Sequence, residues 1–148
     1  MAPDNFIALI SEAAKQSFVL SKVPASFTIA QASLKSGWGE RAIGMNLFCI
    51  KADSNWNGMV DDVHTHEVIK GVSVAVVVRF RKYNSWLESI NDHSKFLTCN
   101  PRYRNAFCCT SVADFTRDIA SSGYATDPNY ASIINAIIDR HNLTRFDV

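Results

Sequence analysis

No stretch of this 148-residue chain approaches the roughly 20 consecutive apolar residues of a membrane-spanning helix, so no membrane partner is expected. Neither sign of charge dominates: the formal net charge is +1. Without a basic stripe or a strong excess of lysine and arginine, general attraction to nucleic acid or anionic lipid is not expected either. The opening Met1-Ala2-Pro3-Asp4-Asn5 lacks a basic region followed by an apolar block, so no export signal is expected at this end. No repeat, low-complexity tract or linker marks off a second module. Four cysteines, Cys49, Cys99, Cys108 and Cys109, form no C-x-x-C pair, and adjacent Cys108 and Cys109 are poorly placed to bridge each other. They are expected to be reduced, small apolar core residues, with structural zinc or a redox pair as the alternatives; thiol catalysis is not expected. What is present is 47% apolar and 20% charged residues, enough for one globular domain over residues 1–148 with its own core.

Periodicity predicts a mostly α fold. Phe6, Ile7, Ile10, Ala14 and Phe18 fall at helical spacing after Pro3. A second apolar pattern carrying Phe27, Ala30, Ala32 and Leu34 runs from Pro24, suited to a first helical turn, to Gly37, suited to a C-terminal cap. Residues 38–62 lose periodicity and read as loop with short elements, and long loops in compact domains tend to line sites. Two β-branched runs, Val63 to Ile69 and Val72 to Phe80, flank Lys70-Gly71 and predict a single β-hairpin. Ser85-Trp86-Leu87-Glu88 has capping-box spacing ahead of a helix with Trp86, Ile90, His93 and Leu97 on one face. Ser111 to Asp114 repeats that spacing ahead of Phe115 and Ile119, Gly123 closes the helix, and Asp127-Pro128 opens another bearing Tyr130, Ile134, Ile137 and Ile138.

Five ordered segments carry a family resemblance. Ala32-Ser33-Leu34-Lys35-Ser36-Gly37-Trp38-Gly39 is similar to A-x-L-E-S-G-W-G. Asn46 to Lys51 resembles N-L-F-G-I-K, Thr65-His66-Glu67 resembles T-x-E, and Phe80 to Ser85 resembles F-R-x-Y-x-S. Gly123 to Ala131 matches G-Y-A-T-D-P-x-Y-A. Together they resemble glycoside hydrolase family 73, the peptidoglycan N-acetylglucosaminidases, across residues 24–138. The resemblance implies a lysozyme-like, mostly α (α+β) fold with a small hairpin flanking a cleft. It also implies cleavage of peptidoglycan glycan strands after N-acetylglucosamine, no cofactor, and peptidoglycan as the partner. A phage-lysin-like protein is expected, a monomer made in the cytoplasm and acting on the cell wall.

Glycoside hydrolysis ordinarily needs an acid to protonate the departing oxygen and a second carboxylate to handle water or the developing positive charge. Lys35 occupies the family's general-acid position, and Glu67 matches its second acid. On spacing alone Glu67 is an ordinary strand glutamate; the resemblance makes it the group that positions or activates water, unless the substrate's own acetamido group does that work. Tyr83, Tyr124 and Tyr130 are candidate sugar contacts, since an aromatic face covers sugar C–H surface while its hydroxyl hydrogen-bonds; the alternative is a half-buried core tyrosine at each. Asn46 and Phe48 are expected to shape the cleft floor, and Trp38 and Trp86 to pack. His64 and His66 share a strand face but lack further placed ligands, so no metal is assigned.

A lysine ammonium has a reference pKa of about 10.4 against about 4.3 for a glutamic acid, and its charge opposes an oxocarbenium-like transition state. Lys35 therefore predicts weak or absent hydrolysis, and Glu40, beyond Gly37 and Gly39, has nothing to bring it to the same point. At a helix C-terminus a lysine is also simply favourable, by about 0.3–1 kcal/mol. Cys49 stands where the family has glycine, a strain on the loop if that backbone needs positive φ. An engineered inactive variant, a natural pseudoenzyme and an enzyme with rearranged acids all fit these departures.

Overall fold

A computed structural model describes all residues, 1–148. Five α-helices and one hairpin carry the architecture: α1 (Pro3–Ser21), α2 (Ala25–Ser36), β1 (Val60–Ile69), β2 (Val72–Arg81), α3 (Trp86–Cys99), α4 (Val112–Ile119) and α5 (Tyr130–Arg140). Short 3₁₀ turns at Pro101–Cys108 and Leu143–Phe146 complete the helical body. No helix is long and apolar enough to cross a membrane.

The central element is α2, which buries ten of its twelve residues and so is covered on every side by α1, α5 and the C-terminal turn. Alanine and serine let the neighbouring helices approach. Two buried hydroxyls bond within the helix, Ser33 Oγ to the Ala30 carbonyl at 2.8 Å and Ser36 Oγ to the Ala32 carbonyl at 2.6 Å, and Ser26 Oγ donates to Asp147 Oδ2 near the C-terminus, so the burial of these three leaves no orphaned group. Only near its C-terminus does α2 emerge, where Lys35 is exposed and Gly37 caps the helix in the left-handed conformation at φ 58°.

Both predicted serine N-caps form, and Glu88 reaches back one residue beyond the N-cap. Ser85 Oγ accepts the Glu88 N–H at 3.1 Å, Glu88 Oε2 accepts the Asn84 N–H at 2.6 Å, and Ser111 Oγ accepts the Asp114 N–H at 3.1 Å. Several boundaries differ by a few residues. The first strand begins at Val60 rather than Val63, because ladder pairing extends through Val60↔Arg81 despite the acidic pair Asp61-Asp62. Pro128 lies before α5, which starts at Tyr130, because the Asp127 side chain takes the Asn129 N–H at 2.8 Å and forms a turn there first.

The cysteines are not core residues. Cys49, Cys99 and Cys108 are exposed and Cys109 is half-buried, all as free thiols. Helices supply the core, through side chains such as Phe6, Phe27, Ile29, Ile90, Ile119 and Ile134. The hairpin contributes almost nothing to it, and Val68, Val72 and Val77 stand open to solvent.

Candidate functional site

At the tip of α2, Lys35 lines an open cavity of about 540 Å³ with Arg41, Tyr124, Thr126, Asp127 and Tyr130. The wall opposite α2 comes from the turn that follows α4, where Gly123 at φ 92° lets the chain reverse and presents Tyr124. Lys35 forms no ion pair. Glu40 is drawn away to the Met1 amino group at 3.2 Å and does not line this cavity.

Beneath the cavity is an aromatic layer. The His93 ring stacks on Phe48 with centroids 3.9 Å apart and planes 8° from parallel. Its Nε2 lies 2.9 Å from the Tyr124 hydroxyl oxygen, and its Nδ1 is buried with no partner. Gln31 Nε2 donates to the Tyr130 hydroxyl at 2.7 Å, leaving the buried Gln31 Oε1 unpaired. The Tyr124 and Tyr130 rings lie 5.6 Å apart.

Burial pushes the His93 pKa down to about 3, with the nearby Asp92 carboxylate opposing and the Lys35 ammonium reinforcing that shift; His93 is therefore a neutral imidazole at working pH. Burial also raises Tyr124 well above the ordinary phenol range, and Tyr130 to about 12, the Gln31 amide opposing the latter shift. Both tyrosines keep their protons.

The other predicted residues are arranged around this point rather than in it. Tyr83 is buried, and its hydroxyl donates to Asp92 Oδ2 at 2.5 Å, the same oxygen that Arg81 Nη1 reaches at 2.8 Å. Burial and then the Asp92 carboxylate raise its pKa far above that of a free tyrosine. Tyr83 thus ties the base of the hairpin to α3, and the structure does not bring it to the Lys35 cavity. Asn46 is buried and holds the loop: its Nδ2 donates to the carbonyls of Ile50 and Arg81, each at 2.9 Å, and its Oδ1 accepts the Ile50 N–H at 3.1 Å. Phe48, through its stack on His93, lies under the cavity. Trp38 and Trp86 pack against the core.

Glu67 pairs with Val74 on the hairpin face that also carries Asp61, Val63, Val78 and Phe80. That face is half-buried near the base and exposed at Glu67. Glu67 is not in the lining of the Lys35 cavity and makes no ion pair with Lys35, so the two acid positions are not joined in one pocket. His64 and His66 are exposed on the opposite face. Nowhere do three or more histidine, cysteine, aspartate or glutamate side chains cluster in a way that suits a metal ion.

Cys49 adopts φ 54°, the left-handed region that glycine fills without penalty, and its Sγ donates to the Lys35 carbonyl at 3.5 Å. The two departures from the family pattern therefore touch each other. Sequence reasoning passed over His93 as a site residue and did not single out Gln31. The only signals were a histidine on an otherwise apolar helix face and a glutamine between two alanines in a buried helix.

Comparison with known proteins gives the family and the fold. Residues 11–143 match the Glucosaminidase family, described as mannosyl-glycoprotein endo-beta-N-acetylglucosaminidase. The chain is 37% identical over 142 residues to the peptidoglycan hydrolase FlgJ of Escherichia coli strain K12, covering 91% of this chain and 45% of that protein. It thus spans less than half the length of such relatives. Among solved structures, a C-terminally truncated glycoside hydrolase domain of Salmonella typhimurium FlgJ superposes with a TM-score of 0.87 at 34% identity, over 95% of this chain and 98% of that one. The catalytic domain of the Listeria monocytogenes autolysin Auto superposes with a TM-score of 0.84 at 31% identity, over 98% of this chain and 87% of that one. The lysozyme-like fold expected from the sequence is the fold observed, and the chain belongs to the Glucosaminidase family of glycoside hydrolases, family 73.

Proposed function

We propose that this chain is a peptidoglycan-binding glucosaminidase domain, acting at the bacterial cell wall, whose hydrolysis of glycan strands is impaired by Lys35. The observation that carries this reading is the cavity at the end of α2. It has the aromatic and hydroxyl lining a sugar needs, through Tyr124 and Tyr130, while a cation fills the position where the family pattern has its acid. Relatives bearing the name peptidoglycan hydrolase support the substrate class. Tyr124, Tyr130 and Lys35 would meet the sugar directly, and Phe48 and Asn46 would hold the floor. Glu67 would act from the hairpin on an occupied cleft.

A second reading, a non-catalytic module that binds peptidoglycan without turnover, is favoured by the same lysine, since nothing else in the cavity replaces the acid: Asp127 is its one carboxylate, placed on the far wall from α2. Release of reducing ends and loss of turbidity from purified peptidoglycan test both readings. The unaltered chain should be weak, Lys35→Glu should gain activity, and adding Glu67→Gln to Lys35→Glu should remove the gain. Vigorous hydrolysis by the unaltered chain would defeat the role given to Lys35, whereas glycan binding that Lys35→Glu does not convert into cleavage would favour the binding module.

A further inference from the structure

His93 and Gln31 each leave one buried polar atom unpaired, and which atom it is fixes where the tyrosine protons go. If His93 Nε2 accepted the Tyr124 hydroxyl proton, its own proton would sit on Nδ1 as a buried N–H with no acceptor. Orphaned donors are the rarer and costlier defect, so the cheaper arrangement places the proton on Nε2 and leaves a bare lone pair at Nδ1, against the Phe48 stack. Nε2–H then donates to the Tyr124 oxygen. The Gln31 amide obeys the same rule: turned the other way it would bury an NH₂ with two unpaired hydrogens in place of one unpaired oxygen, so it too donates, to Tyr130.

We infer that His93 is a positioning residue: as an Nε2–H donor held between Phe48 and the Tyr124 hydroxyl, it leaves that hydroxyl's proton free to be given to an oxygen of bound sugar in the Lys35 cavity rather than to the imidazole. Gln31 does the same for Tyr130. The neutral state of His93, enforced by burial, keeps Nε2–H a single, fixed donor rather than part of a titrating imidazolium. The cavity thereby presents four donors, Lys35, Arg41 and the two hydroxyls, beside the single Asp127 carboxylate, which suits the acetamido carbonyl and ring hydroxyl oxygens of an N-acetylated glycan. This deepens the glycan reading above and rests on it for the ligand class.

The direction of the proton is measurable without any ligand. In long-range ¹H–¹⁵N spectra of the intact chain, His93 should be the neutral Nε2–H tautomer; the Nδ1–H tautomer would overturn the inference whatever the protein binds. Binding of a tetrasaccharide of alternating N-acetylglucosamine and N-acetylmuramic acid, followed by calorimetry, supplies the functional arm. His93→Phe, which keeps the stack and removes the donor, and Tyr124→Phe should each weaken binding about fivefold, and the double variant should lose no more than Tyr124→Phe alone, because both act through one hydroxyl. His93→Gln, which retains a side-chain donor, should stay within about twofold of the parent. Additive losses in the double variant, or a His93→Phe variant that binds normally, would overturn the positioning role. If the parent chain binds no tetrasaccharide, the glycan reading fails, while the tautomer still decides the orientation of Tyr124.

Discussion

An ammonium at the last turn of α2 gains from the helix dipole about the 0.3–1 kcal/mol that a carboxylate would lose there, so at residue 35 stability and acid chemistry pull in opposite directions. Removing the charge and restoring the acid are separable experiments. Lys35→Gln should leave hydrolysis at the parent's baseline, because an amide neither donates a proton at useful acidity nor answers an oxocarbenium-like charge. Lys35→Glu should raise the rate of reducing-end release by about 10²- to 10⁴-fold, the usual value of a positioned general acid. Equal gains in the two variants would mean that electrostatic repulsion, not the missing acid, limits the chain. Cys49 presents a different single-residue problem. Its φ of 54° is strained for any side chain, and its only compensation is the weak Sγ contact with the Lys35 carbonyl. Cys49→Gly should therefore stabilise the fold by about 1 kcal/mol, read as a rise of about 2–4 °C in Tm.

The hairpin is attached through its base alone. Ala52 N–H reaches the Arg79 carbonyl at 2.9 Å and Arg81 N–H the Ile50 carbonyl at 3.0 Å, while Asp92 of α3 collects both Arg81 and Tyr83 on one carboxylate oxygen. Arg81 also lies over the Trp56 ring, 4.6 Å from its centroid. Asp92→Asn keeps the shape of that joint but removes its charge, and should cost about 1–3 kcal/mol while speeding amide exchange at Ala52 and Arg81 ahead of the helical body. Unchanged exchange at those two amides would show that the backbone ladder holds the base unaided. The elements that make up this joint were legible in the sequence, because a helix face at 3.6-residue spacing, a capping serine and a β-branched run are local signals. The joint itself was not. Tyr83 read as a sugar contact because nothing local announces Asp92 as its partner, and Gln31 meets Tyr130 from 99 positions away. The cysteines failed for the same reason: a small apolar side chain is suited to a core, but Cys49, Cys99 and Cys108 lie on turns and helix faces that tertiary packing leaves outside.

Across the whole molecule, the helical body carries the stability and bears the cost of the polar groups buried within it. His93 is the main such cost with a pH dependence. Its folded pKa of about 3 lies below the ordinary histidine value of about 6.5, so between those pH values the unfolded chain takes up a proton that the folded chain refuses. The unfolded state then binds more protons, and stability must fall as pH drops: the contribution is fully present above about pH 6.5 and is lost progressively toward pH 3, with a slope of up to about 1.4 kcal/mol per pH unit. Carboxylates with depressed pKa values, such as Asp62 beside Arg79, enter only at the acid end of that window. Denaturant titrations of the parent at pH 7, 6 and 5 should therefore show a steady loss of stability, and the same series on His93→Phe should be nearly flat, since the stacked ring remains while the titrating group is gone. A parent series without slope over that range would mean that His93 protonates in place inside the fold, and the neutral donor beneath Tyr124 would be lost with it.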